Sequence, residues 1–594
     1  MNKFVMLGVL SVLIVLLPAV NAKEGHMKLL AVTETNNGYK GGIADLYLEI
    51  KPGSGRVFLE TFPLTRVDTQ VSTRFAREIA CDFADVDCSK YDFFYTITAN
   101  SPIVAGPSAG AAISVLTFSL IKDIDFDENT AITGTINSGG LIGPVGGLKA
   151  KIEAADKVGM KKVLIPMGES IDEGNESFKK NESVNESFDL DGLRERYGME
   201  IKEVITLDEA IFEFTGKKFR EKKADLTISQ DYKDTMKMLA IQLCSRSTQL
   251  KKTISNLEII GNKTKPALAN AVNMSDKGKD AFNEYKYYSS ASYCFGANVE
   301  FNYLSLLQLN LTEEEIIKKV NGLRAEIKSF DETIENEEIK TITDLESYMV
   351  VKERLVEANE FLGMVAEATG NRDEILHNLA YAIERFNSAK SWARFLENTG
   401  KEFNFNDEVI KSACKTKLSE VEERLQYVQL YFPSIPTAAK KELDYAYQDL
   451  QEGNYGLCLF KASKAKADVD AILSVFGVKN NNISNIINQK LIIVERNLVE
   501  ETEKGVFPIL GYSYFEYANS LKDFDPFSAL LYSEYALELS NLDIYFKSTT
   551  SSRLNLFERV DSKLIVVLII GVILGIFIAK LLNFKQKKVQ KKLK

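Results

Sequence analysis

The chain has 594 residues, 45% hydrophobic and 10% aromatic, with a formal net charge of −10. That length suits three or four domains, and that composition is ample for buried cores. The acidity, with basic residues massed only at the extreme C-terminus, argues against a nucleic-acid partner.

Residues 1–22 read as a secretory signal. Lys3 supplies the positive start, Phe4–Leu17 the apolar stretch, and Pro18–Ala22 a small-residue end suited to cleavage. From Met27 to Thr61 the pattern is strand-like: Leu46, Leu48 and Ile50 alternate with Asp45, Tyr47 and Glu49, and a Lys51–Gly55 turn precedes Val57–Thr61. Val71, Phe75, Ile79 and Phe83 repeat every four residues, which predicts a helix over Thr69–Phe83. Phe93–Thr98 returns as a strand, one that can pair with an extended substrate.

The stretch from 101 to 166 is the most informative. Gly106-Pro107-Ser108-Ala109-Gly110 is a turn feeding an apolar helix from Ala109 to about Ile121. A strand over Ala131–Ile136, a glycine-rich approach and a helix over Leu148–Val158 follow. A serine at a helix start can act as a nucleophile, with the backbone N–H groups of Ser108 and Ala109 and the helix dipole steadying an oxyanion. The plainer reading is that Ser108 only caps the helix. A nucleophile needs a base, and the only histidines, His26 and His377, lie far from this stretch in sequence. An α/β-hydrolase elbow, which needs a downstream acid and histidine, is also disfavoured, because the only downstream histidine, His377, lies deep in the helical part beside no recognisable sheet. A lysine serves instead if burial keeps it neutral. On the predicted helix Lys151 shares a face with Leu148, Ala155 and Val158, whereas Lys149 lines up with Glu153, Asp156 and Lys157. Lys151 is therefore the candidate base.

Ser108 in GPSAG, Thr133 in ITG, and GGLKAKIEAA followed by GMKKVLIP together resemble the Lon-type serine peptidase domain, as in archaeal membrane-anchored Lon-like proteases without the ATPase module. The motifs cover some sixty residues, and weaker similarity extends over about Met27–Thr215. The resemblance implies a Ser–Lys dyad, since the family's lysine follows its serine at the forty-three-residue interval of Ser108 and Lys151. It further implies that the Thr133 hydroxyl orients the lysine, that substrates are polypeptides, and that the chain forms a homo-oligomeric ring. One departure stands out: Ala105 occupies the position, three before the serine, where the family usually carries an acid. No GxxxxGK[ST] phosphate loop occurs, so an ATP-independent peptidase is expected.

Residues 168–192 are too rich in Asn, Ser and Glu to pack and read as a surface loop. Met199–Val204 and Leu207–Thr215 supply a last strand and helix, making residues 23–217 an α+β Lon-type protease domain. Residues 218–548 have helical periodicity throughout and read as an all-α region without recognisable chemistry. It is expected to govern substrate access. After a stalk at 549–563, the apolar run 564–584 reads as one transmembrane helix and 585–594 as a basic cytoplasmic tail. The expected product is a single-pass cell-membrane serine endopeptidase whose N-terminal bulk is extracellular. The alternative is a non-catalytic surface protein that keeps the peptidase-like fold as a scaffold.

Seven sequons (Asn175, Asn181, Asn185, Asn262, Asn273, Asn310 and Asn482) agree with an outward-facing glycoprotein. The six cysteines, Cys81, Cys88, Cys244, Cys294, Cys414 and Cys458, fall two per region, and sequential pairing is the natural expectation in an oxidising compartment. No CxxC or His cluster offers a metal site, and no cofactor is expected.

Overall fold

Alternating apolar residues build the first sheet. The computed structural model describes residues 22–35, 38–104, 106–167, 190–220, 230–255, 264–367, 371–396, 400–429, 437–475 and 483–546. In it β1 (Lys23–Thr35) and β2 (Gly38–Pro52) form an antiparallel pair, followed by β3 (Val57–Thr65). Helix α1 (Val67–Phe83) leads to β4 (Tyr91–Val104), and the sheet order is β1-β2-β4-β3. The register sets Leu46 opposite Ile97 and Leu48 opposite Tyr95, so one face is continuous and apolar. Phe75, Ile79 and Phe83 of α1 are buried with it.

Helix α2 (Gly110–Lys122) is buried along its whole length up to Ser119, which explains why its sequence is apolar on all sides. The expected strand over Ala131–Ile136 is two short strands, β5 (Thr130–Ile132) and β6 (Thr135–Ile136). It breaks because the chain changes partners at Thr133–Gly134. β6 pairs with β7 (Ile142–Gly143), and helix α3 (Leu148–Lys157) and β8 (Lys162–Pro166) follow. After α4 (Leu190–Tyr197), β9 (Glu200–Val204) completes a parallel sheet of order β5-β8-β9, and α5 (Leu207–Thr215) closes the region.

Twelve α-helices follow among the described residues, from α6 (Gln230–Ser255) to α17 (Pro526–Leu539). Four matter below: α12 (Asp407–Gln429), α14 (Tyr455–Val475), α15 (Ile483–Glu503) and α17. Disulfides join Cys81 to Cys88 at the end of α1, Cys244 to Cys294, and Cys414 on α12 to Cys458 on α14. Of the sequons, Asn273 and Asn310 are exposed, and the other five lie outside the described residues.

The expected fold class is corrected in its last element. A membrane-spanning helix and, through it, the membrane as a partner were expected, but among the described residues no helix is long and apolar enough to cross a membrane. The described helices are broken by charge, as α14 is by Lys461, Lys464, Lys466, Asp468 and Asp470. Residues 564–584 lie outside the described residues, as do the stalk, the basic tail, the polar loop up to residue 189 and the signal stretch up to residue 21.

Candidate active site

The serine loop is held from behind by α1. Gly106 has φ +98°, a conformation that favours glycine, and starts the turn Pro107–Ala109 that runs into α2. Asp68, in the first turn of α1 and 6% exposed, accepts the Gly106 N–H on Oδ2 at 3.1 Å. One helical turn on, the Ser72 hydroxyl donates to the Pro107 carbonyl at 3.3 Å. Ser108 and Ala109 are half-buried in this turn. The N–H of Gly110 is committed to the Pro107 carbonyl and that of Ala111 to the Gly134 carbonyl, the latter at 3.1 Å. A Cβ at Gly110 would sit 3.0 Å from the Ile136 nitrogen, so α2 approaches β6 as closely as glycine permits.

That approach links the serine to the lysine. The Gly134 N–H donates to the Ser108 carbonyl at 3.0 Å, and the adjoining Thr133 N–H donates to the Leu164 carbonyl of β8 at 3.1 Å. Thr133 is thereby fixed beside the serine turn with its hydroxyl free to face α3. Lys151 of α3 reaches it, Nζ to Oγ1 at 3.0 Å, and the lysine is 2% exposed. Lys149, two residues earlier, is half-exposed. The structure thus ties the Ser108 backbone, Thr133 and Lys151 into one run of contacts. Burial disfavours the charged form of an amine, which is the condition for a lysine to accept a proton.

Sequence reasoning named Ser108, Thr133 and Lys151 as candidates but not the residues that support them. Asp68 is the clearest: where the resembled family carries an acid within the serine loop, here a carboxylate arrives from a helix and meets the same loop at Gly106. An acid at a helix N-terminus is ordinary, so no local signal pointed to this role. Arg424, Tyr427 and Glu538, all from the helical region, also reach the site's loops and carried no motif. Among the described residues no group of His, Cys, Asp or Glu could hold a metal ion.

Residues 91–188, which include Ser108, Thr133 and Lys151, match the family model of the Lon protease (S16) C-terminal proteolytic domain. The chain is 34% identical over 155 residues to the Lon protease of Methanosphaera stadtmanae, 26% of this chain and 17% of that protein. It is 45% identical over 78 residues to Lon protease 2 of Bacillus subtilis, 13% of this chain and 14% of that one. With the archaeal Lon protease of Thermoplasma volcanium it shares 38% over 152 residues, 24% of this chain and 22% of that protein. The chain thus spans less than a quarter of the length of these curated relatives.

Proposed function

Since residues 91–188 form a Lon-type serine peptidase domain, we propose that the whole chain is an ATP-independent serine endopeptidase with a Ser108–Lys151 dyad. The observation that carries this reading is the buried Lys151 Nζ, 3.0 Å from the Thr133 hydroxyl, on a segment bonded to the Ser108 backbone. Neutral Lys151 takes the Ser108 proton as Oγ attacks the peptide carbonyl. Thr133 holds the ammonium that forms, and the N–H groups of Ser108 and Ala109 receive the oxyanion. The lysine then gives its proton to the leaving amine, and water, activated by the same lysine, releases the acyl-enzyme. Because the base must be neutral, the rate rises with pH through its deprotonation.

The substrates in this reading are unstructured or damaged polypeptides, which need no unfolding before cleavage. The absence of a phosphate-loop motif from the sequence supports ATP independence. Three disulfides and exposed sequon asparagines support work in an oxidising, extracytoplasmic setting. The test is hydrolysis of a short unstructured peptide by the full chain, with and without ATP. Ser108→Ala and Lys151→Ala should abolish it, Lys149→Ala should leave most of it, and ATP should change nothing. Hydrolysis that survives Lys151→Ala but not Lys149→Ala would overturn the assignment.

A further inference from the structure

Between Thr133 and Lys151 the chain makes an excursion, residues 135–147, whose course decides where the lysine stands relative to the threonine. Its first strand, β6, lies against α2 just beyond the serine turn, and its last residue, Gly147, accepts the Lys151 N–H at 3.0 Å. The peptidase region holds this excursion by pairing β6 with β7, by the Ile142 N–H to the Ile205 carbonyl at 2.8 Å, and by burying Ile136, Ile142 and Val145 in its cores. The helical half grips it as well, at its start, tip and end.

At the start, Arg424 of α12 donates through Nη2 to the Ile136 carbonyl at 2.8 Å and to the Asn137 side chain. At the tip, Ser138 donates to Glu538 of α17 at 2.8 Å. The same carboxylate takes Lys466 of α14 at 2.7 Å and Lys417 of α12 at 2.8 Å, all of them within a few per cent of complete burial. Gly139 has φ +68°, and a Cβ there would fall 2.2 Å from the Asn497 amide nitrogen of α15, so the tip is seated against that helix as closely as glycine permits. Leu141 joins an apolar cluster with Ile493, Val494, Leu498 and Leu537. At the end, the Gly146 N–H donates to the Tyr427 hydroxyl at 3.2 Å, and that hydroxyl donates to the Pro144 carbonyl at 3.4 Å.

We infer that Arg424, Tyr427 and Glu538 are positioning residues for the catalytic lysine, so that the helical half builds the active site as well as standing beside it. This rests on the Ser108–Lys151 reading. It departs from the expectation that the helices only govern access, because access requires no buried ionic grip on the segment between the base and its partner. One guanidinium nitrogen donating to two groups of the loop, and a doubly paired carboxylate, are directional, which suits setting a loop's course more than adding stability. Small misplacements of a catalytic group are costly, on the order of 100-fold for about 1 Å.

The test uses the full chain and a short fluorogenic peptide, too small to be excluded by any wall. Tyr427→Phe is isosteric, removes only the hydroxyl, and keeps the proposal testable if Arg424→Lys does not fold. Each variant is compared with wild type, Ser108→Ala and Lys151→Ala for kcat, KM and the pH midpoint of kcat, with the folded fraction measured alongside. The expected result is a fall in kcat of about 10-fold or more in Tyr427→Phe, and more in Arg424→Lys, at unchanged KM and with a displaced pH midpoint. A purely structural role would lower activity only in proportion to the folded fraction and leave the midpoint where it was. Folded variants with wild-type kcat and midpoint would overturn the positioning role while leaving the dyad intact. Activity surviving in Ser108→Ala or Lys151→Ala would instead remove the dyad on which it rests.

Discussion

Both halves of the molecule have apolar cores, and they differ in how much charge they bury beside them. The sheet region is filled with Leu46, Leu48, Phe93, Ile97 and Phe118, and its few buried charged residues include Asp68 behind the serine loop and Lys151 at the proposed dyad. The helical half buries many: Lys417, Glu420, Arg424, Lys466, Asp470, Glu534 and Glu538 are all 2% exposed or less. Burying a paired charge gains little over an apolar residue of similar size, whereas removing one partner is expensive. That ionic cluster, set beside an apolar core of Leu345, Leu379, Trp392 and Phe460, is suited to direction more than to strength. Several of these ion pairs lie where α12, α14 and α17 meet the excursion between Thr133 and Lys151. Apolar packing thus holds both halves together, and the buried ionic cluster adds direction where the helices meet the peptidase region.

The largest effect that would sharpen this contrast is on activity. Ser108→Ala or Lys151→Ala should lower kcat by roughly 10⁴-fold or more, as removal of a nucleophile or its base does elsewhere, without comparable loss of stability. Peptide hydrolysis alongside thermal unfolding checks this.

Next come the two interiors. Glu538→Gln, which leaves the buried Lys417 and Lys466 to share Glu420 alone, should cost about 3–5 kcal/mol in denaturant unfolding. Replacing Lys417, Lys466 and Glu538 by Met, Met and Leu together with Glu420→Gln, so that no charge of the cluster is left unpaired, should recover most of that stability but not the activity, because Ser138 still loses its partner. In the sheet region the comparable loss, again about 3–5 kcal/mol, should come from an apolar truncation such as Phe93→Ala. Equal tolerance of single charge removals in both halves would break the contrast.

Thr133→Val, which keeps volume but removes the hydroxyl facing Lys151, should lower kcat by about 10- to 100-fold, the worth of a hydrogen bond to a charged group. The stopped assay is the same peptide hydrolysis.

The smallest effect is in pH dependence. Burial raises Glu423 to about 7 and Asp470 to about 6, with Arg424 pulling both down, and burial with nearby Asp543 raises Glu501 to about 9. These folded values stand above the ordinary carboxylate range, so the folded chain holds more protons than the unfolded one between about pH 4 and 9. Their contribution is present in full at low pH and is lost as pH rises through that window. Glu538 works the other way. Burial raises it, but Lys417 and Lys466 outweigh that and hold it at about 2, so its contribution is lost only as pH falls from the ordinary carboxylate range toward 2. Thermal unfolding at pH 5, 7 and 9 should show declining stability, and Glu501→Gln should flatten the pH 7 to 9 part.

The sequence made the strands and helices of the peptidase region legible because their apolar periods are short and clean: Leu46-Leu48-Ile50 at two, and Phe75-Ile79-Phe83 at four. Helical geometry also separated Lys151 from Lys149, since one face of α3 is apolar. The break at Thr133–Gly134 was hidden because Ala131–Ile136 reads as one strand when the contact of Gly134 with Ser108, twenty-six residues earlier, is unseen. The supports were hidden for the same reason. Asp68 meets Gly106 across 38 positions, and Arg424 meets Ile136 across 288, in a helix where charged residues look like a solvated face. A period tells which face is apolar, not which charges find partners inside.

The most direct measurement is intact-mass analysis of the full chain after treatment with a fluorophosphonate that acylates an activated serine, followed by mapping of the modified peptide. The account predicts one adduct, on Ser108, in wild type and in Lys149→Ala, and none in Ser108→Ala or Lys151→Ala. An adduct that persists without Ser108, or that forms as fast without Lys151, would contradict a serine activated by this lysine.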